Sequence, residues 1–236
     1  MKQWKVVAVP AGCLFVMVSL IHSQSSPNVD WPVVAGSPAG TRYSALKQAN
    51  ASNVNQLKVA WTYDVSDAPG TLETNPIEVN GVLYGYTNGQ KVFAVNAATG
   101  KQVWLFDSGE LERGNNRGLS YWRSGSDERI FAGIREYVYS LNAKTGKPDT
   151  EFGDNGRIDF RADLRGGPAA TTGALGHPPV IYKDLVIFAG RTSQVLPASP
   201  APVRAYDART GKLRWQFNTI PQPGEYGYDT WPKDTT

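Results

Sequence analysis

Two histidines, His22 and His177, and one cysteine, Cys13, are all that the 236-residue chain offers for imidazole or thiol chemistry. No HExxH, phosphate-binding glycine loop or Ser/His/Asp arrangement appears, which argues against zinc proteases, P-loop enzymes and triad hydrolases. Three charged or titratable residues stand in distinctive contexts: Glu73 in ETNPI, Arg117 in NNRGLSYW and His177 just before Pro178-Pro179. A guanidinium offers carboxylates a rigid, planar donor fork where lysine gives only a point charge. Taken singly, each also has a plainer reading: a surface ion pair for Arg117, a solvated strand end for Glu73, a structural imidazole for His177.

What positions such residues is a repeat. The stretch Val203 to Asn218, VRAYDARTGKLRWQFN, has a close copy at Val92 to Asp107, VFAVNAATGKQVWLFD, and a worn one at Val138 to Gly153, VYSLNAKTGKPDTEFG. Each copy runs from alternating apolar residues through Asn or Asp and Thr-Gly-Lys into a second apolar run. Asn96, Asn142 and Asp207 can bond their own backbone two residues on, and Gly100, Gly146 and Gly211 can take the positive φ that closes the turn. The unit is therefore strand, turn, strand. Trp104 and Trp215 fall on the returning strand, where a large flat side chain can cover the seam between sheets; Phe152 stands in for them in the worn copy. The intervals between glycines lie near the roughly 40 to 50 residues of a four-stranded propeller blade, one of them stretched by an insertion.

Reading along the chain, Ala49 to Gln56 is polar enough for a short helical turn, and Leu57 to Tyr63 alternates as a strand ending an opening blade at Trp61. Strands are expected at 75–79, 82–87 across the Asn80-Gly81 turn, 92–96 and 102–106 for one blade. The next runs from Leu119 through 130–134 and 137–141 to Phe152, and another comprises 178–182, 185–189, 203–206 and 213–217. The glycine-rich stretch from Gly153 to Gly176 reads as a long loop, and Arg191 to Pro202 as an insertion in the last blade. The fold expected is all-β: a propeller of four-stranded antiparallel blades, present here as an incomplete arc of about three to four blades, with Trp104 and Trp215 buried between sheets.

Residues 1–25 are of other material: Lys2 and Lys5 precede an apolar run from Val6 to Ile21, and Ser23 and Ser25 follow. That order is a secretory signal peptide, with cleavage expected between about Ser23 and Ser26 and a periplasmic protein from residue 26 to 236. An uncleaved membrane anchor is the alternative, although the run holds Pro10 and is shorter than the roughly 20 residues of a span. Cleavage removes Cys13, so no disulfide supports the exported domain. It also removes two lysines and no acid from a formal charge of +3, leaving a nearly neutral protein with no basic signature for nucleic acid.

The repeat AxDxxTGKxxW, the opening DWPxxxGxxxGTRYSxL, ETNPIEVNGVLY and NNRGLSYW together resemble the pyrroloquinoline-quinone-dependent dehydrogenases, nearest to their membrane-type glucose dehydrogenase branch, over almost all of the chain after residue 30. The resemblance implies the front part of a propeller that is eight-bladed in full-length members. It further implies pyrroloquinoline quinone near the axis with a divalent metal, usually calcium, and two-electron oxidation of an aldose or alcohol, with a respiratory quinone or cytochrome c accepting the electrons. On this resemblance Glu73 matches the glutamate beside the quinone and Arg117 the arginine that binds it, and His177 lies where relatives carry a small polar residue facing the cofactor. Thr171 and Thr172 are weaker contacts.

The sequence also departs from the family. Alcohol-oxidising members often carry adjacent cysteines near the cofactor and a calcium-binding glutamate after a glycine-rich strand end; here no cysteine remains, and FAGRTSQ places Arg191 there. Both departures weaken an assignment to alcohol dehydrogenase, and aldose or alcohol both remain as substrate. The family's catalytic aspartate and remaining metal ligands would come from beyond residue 236, so this stretch alone is expected to be inactive. The competing reading is a non-enzymatic scaffold propeller of the outer-membrane assembly type, which shares TGKxxW without a cofactor.

Overall fold

The computed structural model describes residues 29–110, 116–162, 175–190 and 201–232. The expected signal peptide and its cleavage site, Thr171, Thr172 and Arg191 lie outside the described residues.

Among the described residues three four-stranded antiparallel sheets follow one another, each with its strands in chain order. The first holds β1 (Ile77–Val79), β2 (Val82–Tyr86), β3 (Val92–Asn96) and β4 (Gln102–Phe106). The second holds β5 (Ser120–Ser124), β6 (Asp127–Ile134), β7 (Tyr137–Asn142) and β8 (Arg157–Asp159). The third holds β9 (Val180–Tyr182), β10 (Leu185–Ala189), β11 (Val203–Asp207) and β12 (Leu213–Phe217).

The repeat closes its hairpins as its residue types require. The Oδ1 atoms of Asn96, Asn142 and Asp207 each accept from the threonine backbone N–H three residues on, at 3.0, 3.1 and 3.0 Å. The threonine hydroxyls donate to the same atoms. Gly100, Gly146 and Gly211 then take φ of 69°, 69° and 68°. Register shifts between Ala94 and Val95 and between Ala205 and Tyr206 fall at the same place in their copies, a bulge inherited with the repeat.

Apolar side chains fill the two spaces between sheets. One core joins Ile77, Tyr84 and Val92 to Ile130, Tyr139 and Leu141; the other joins Trp122, Phe131 and Phe152 to Val186, Phe188 and Tyr206. Each repeat turn is covered by a residue that precedes its sheet in the chain. Trp61 packs against Gly100 and donates from Nε1 to Ala97 O at 3.0 Å; Trp104 does the same to Gly146 and Ala143 O at 2.9 Å. The worn copy has no tryptophan, and its junction is built differently: Gly153 and Ile158 lie on Gly211, while Arg129 Nη1 donates to Ala208 O at 3.2 Å, where an indole N–H would otherwise reach.

Four expectations need correction. Residues 57–63 form no strand and pair with none among the described residues; Trp61 and Tyr63 pack onto the first sheet without a ladder neighbour. The fourth strand of the second sheet is not the run to Phe152 but β8, inside the stretch read as loop; Pro148 turns the chain after one bridge to Leu141, and Arg157–Asp159 does the pairing. Phe152 is buried against Phe131 and does not cover the next glycine. Trp215 is 42% exposed while Trp104 is 7% exposed, because among the described residues no sheet covers β12, whose five residues are all exposed.

Candidate functional site

Glu73, Arg117 and His177 each precede the first strand of their own sheet, β1, β5 and β9. Arrangement in successive blades thus delivers all three to one end of the structure, and hydrogen bonds lock their lead-in segments side by side. Asn75 N–H and Nδ2 donate to Arg117 O at 3.1 and 3.0 Å. Arg117 N–H donates to Gly176 O at 3.2 Å. The Ser120 hydroxyl donates to Pro179 O one step deeper.

The close approach depends on Gly118. Its φ is +149°, and a Cβ there would lie 2.9 Å from Val34 Cγ2 and 3.1 Å from Asn75 O. No larger residue fits where the three segments converge.

The side chains follow from this frame. Arg117 Nε lies 3.6 Å from Glu73 Oε2, joining residues 44 positions apart through successive sheets, with side-chain exposures of 60% and 39%. The guanidinium therefore stands on the open end, oriented by an acid instead of sunk in the core. His177 is exposed beside Gly176, in the segment bonded to Arg117. Around the same end, the hairpin between β6 and β7 carries a rim of ion pairs. Arg135 meets Glu110 at 3.4 Å, Arg161 meets Glu136 at 3.1 Å, and Arg161 meets Asp159 at 3.0 Å. Burial would raise the Asp159 carboxyl, but hydrogen bonds from the Arg161 side chain and backbone outweigh it and hold the carboxyl below its ordinary range.

Among the described residues no group of three or more His, Cys, Asp or Glu gathers as a metal site. The donor set offers an outward guanidinium whose remaining N–H edge can donate to acceptor oxygens of a ligand, with an acid beside it that offsets part of its charge, at a point three backbone segments keep fixed. Asn75, Asn116 and Gly118 carry this arrangement and were not singled out from the sequence, although they flank Glu73 and Arg117 within ETNPI and NNRG.

Comparison with known proteins gives the geometry its context. Residues 31–236 match the family model described as PQQ, glucose/ethanol/alcohol dehydrogenase, beta-propeller domain. Quinoprotein glucose dehydrogenase A of Acinetobacter calcoaceticus is 31% identical over 235 residues, covering 84% of this chain and 29% of that protein. The dehydrogenase subunit of alcohol dehydrogenase (quinone) from Gluconobacter oxydans strain 621H is 36% identical over 203 residues, covering 82% and 25%. Among solved structures, quinohemoprotein alcohol dehydrogenase from Comamonas testosteroni superposes with a TM-score of 0.68 at 24% identity, over 86% of this chain and 29% of that one, a likeness of fold. The chain spans under a third of the length of the curated relatives it matches.

Proposed function

Because this chain belongs to the pyrroloquinoline-quinone-dependent glucose/ethanol/alcohol dehydrogenase β-propeller family, we propose that its Glu73–Arg117 end forms part of the quinone-binding face of an oxidoreductase acting on CH–OH groups. The observation that carries this is the 3.6 Å contact between Glu73 and Arg117, brought from two successive blades to one exposed point. When bound, the quinone supplies the acceptor for two-electron oxidation of an aldose or alcohol. Arg117 offers the fork that grips its carboxylates or ortho-quinone oxygens, Glu73 orients that fork, and His177 flanks the same surface from the third blade. An aldose is the favoured substrate, since the adjacent cysteines of many alcohol-oxidising members are absent from this sequence.

Calcium, a respiratory quinone or cytochrome c as acceptor, and a periplasmic address through residues 1–25 complete the proposal. N-terminal sequencing of periplasmic protein is expected to start between about Ser23 and Ser26, and intact Met1 in a cytosolic fraction would reject export.

Titrating pyrroloquinoline quinone into a full-length version of the protein and its Arg117→Ala variant tests the site itself. Loss of one partner of a desolvated charged pair predicts binding weaker by roughly 2 to 4 kcal/mol. Equal affinity in both proteins would retire the assignment.

A further inference from the structure

Arg117 reaches outward on a long side chain that is 60% exposed, so its aim depends on how its backbone is held. Its own N–H and C=O are bonded to Gly176 and Asn75, and the residue before it ties the same stretch to its neighbours. Asn116 is 5% exposed, and both hydrogens of its amide are used: Nδ2 donates to Gly133 O at 2.6 Å and to Leu175 O at 3.2 Å. Its Oδ1 accepts from Gly118 N–H at 3.3 Å. The opposite orientation of the amide would set its oxygen against two carbonyls, so the three partners together fix which way it points.

Those partners belong to different parts of the structure. Gly133 lies on β6, where a Cβ would meet Leu175 Cβ at 2.8 Å, so the glycine leaves room for Leu175 to approach. Gly133 O also accepts from the Tyr86 hydroxyl of the first sheet at 3.1 Å. Leu175 precedes Gly176, acceptor for Arg117 N–H, in the segment that leads to His177. One buried amide thus joins the Arg117 segment, the His177 segment and the second sheet, close to where the first sheet also docks.

We propose that Asn116 is a positioning residue of this site: its buried carboxamide, acting with the bonds from Asn75 and to Gly176, sets the backbone of Arg117 and with it the aim of the guanidinium. This rests on the reading that Arg117 binds the quinone. Preorganising a binding group lowers the ordering cost at the moment of binding. Residues that orient a ligating group from behind commonly govern about 10–100-fold of affinity in metal sites, and an effect near the lower end is expected here.

The test uses Asn116→Asp, which keeps the shape but removes both donors, and Asn116→Ala, which avoids a buried charge and serves if the first does not fold. Two readouts are compared. Amide hydrogen exchange without any cofactor is expected to speed up about tenfold or more at Arg117, whose N–H bond to Gly176 loses its support, and to stay at the parent level at Ala132 within β6. Pyrroloquinoline quinone affinity is expected to fall about tenfold. Unchanged exchange at Arg117 in a folded variant overturns the proposal. So does unchanged quinone affinity in an Asn116 variant under conditions where Arg117→Ala weakens binding. If Arg117→Ala itself leaves affinity unchanged, the quinone assignment fails, while the exchange result still decides whether Asn116 sets the Arg117 backbone.

Discussion

The indole of Trp104 lies so close to Gly146 that a Cβ on the glycine would sit 2.6 Å from the ring, and Trp104 Nε1 donates to Ala143 O at 2.9 Å in the same turn. Gly146→Ala therefore faces two costs at once, a positive φ of 69° and a steric conflict with the indole. Gly125 separates them, since it has φ of 61° and nothing within 4 Å of its added Cβ. Gly125→Ala should lose about 1 kcal/mol from backbone strain alone, and Gly146→Ala about 3 kcal/mol once overpacking is added. Urea unfolding of both variants measures the difference, and equal losses would show that the indole yields freely.

Arg129 is expected to be sensitive to substitution. It is only 4% exposed, meets Asp127 at 2.9 Å and Asp149 at 2.8 Å, and donates to the carbonyls of Ala208 and Arg209 in the third sheet. Asp127 and Asp149 are partly solvated, so the cost of removing Arg129 comes mainly from the carbonyls of Ala208 and Arg209 that lose their donor, about 1–3 kcal/mol. Arg129→Ala should lower stability by that amount and release protection in β10 and β11 before the first sheet. Hydrogen exchange resolved by strand checks the order.

Arg117 should behave in the opposite way. Its contact with Glu73 is largely solvated, so Arg117→Ala should move thermal stability by no more than about 1 kcal/mol. Arg117→Lys should restore only part of the quinone affinity lost in the alanine variant, because charge is kept and the fork is not. Full restoration by lysine would mean that charge alone is read.

The third copy of the turn carries an acid where the others carry asparagine. Burial would raise the Asp207 carboxyl, but hydrogen bonds from the Thr210 N–H and hydroxyl, the Arg209 N–H, and nearby Arg214 outweigh it and hold the group below its ordinary value. A depressed folded-state pKa gives stability that is present above the unfolded value, near 3.9, and is lost as pH falls through the folded value. Asp207→Asn lacks that acid-labile contribution, so its stability relative to the parent should rise as pH drops below about 4. Parallel acid melts at several pH values test this, and parallel curves would contradict it.

How far the sequence could be read follows from how local each signal is. The turns were legible because Asn96, Asn142 and Asp207 bond within three residues of themselves, and the strands around them because alternation is a nearest-neighbour pattern. Burial of Trp215 was misjudged because its motif matches that of Trp104 while its surroundings do not. In the worn copy, β8 was hidden: its pairing with β7 is set after Pro148 diverts the chain, where the repeat gives no register. At the site, ETNPI and NNRG marked Glu73 and Arg117, but their 3.6 Å contact and the partners of Asn116 are products of tertiary assembly.

Placement of the indoles gives the molecule a set of optical reporters. Trp61 covers the turn of the first sheet, Trp104 sits between the first and second, and Trp122 donates to Lys183 O between the second and third, with the Arg129 and Arg209 guanidinium carbons 5.6 and 5.1 Å from its ring. Trp215, much more open to water, provides a reference emission at the outer strand. Variants retaining one of these tryptophans would report each junction separately. Nearby cations should mark Trp122 spectrally from Trp104, so loosening of a single seam becomes visible as a change in colour at one ring.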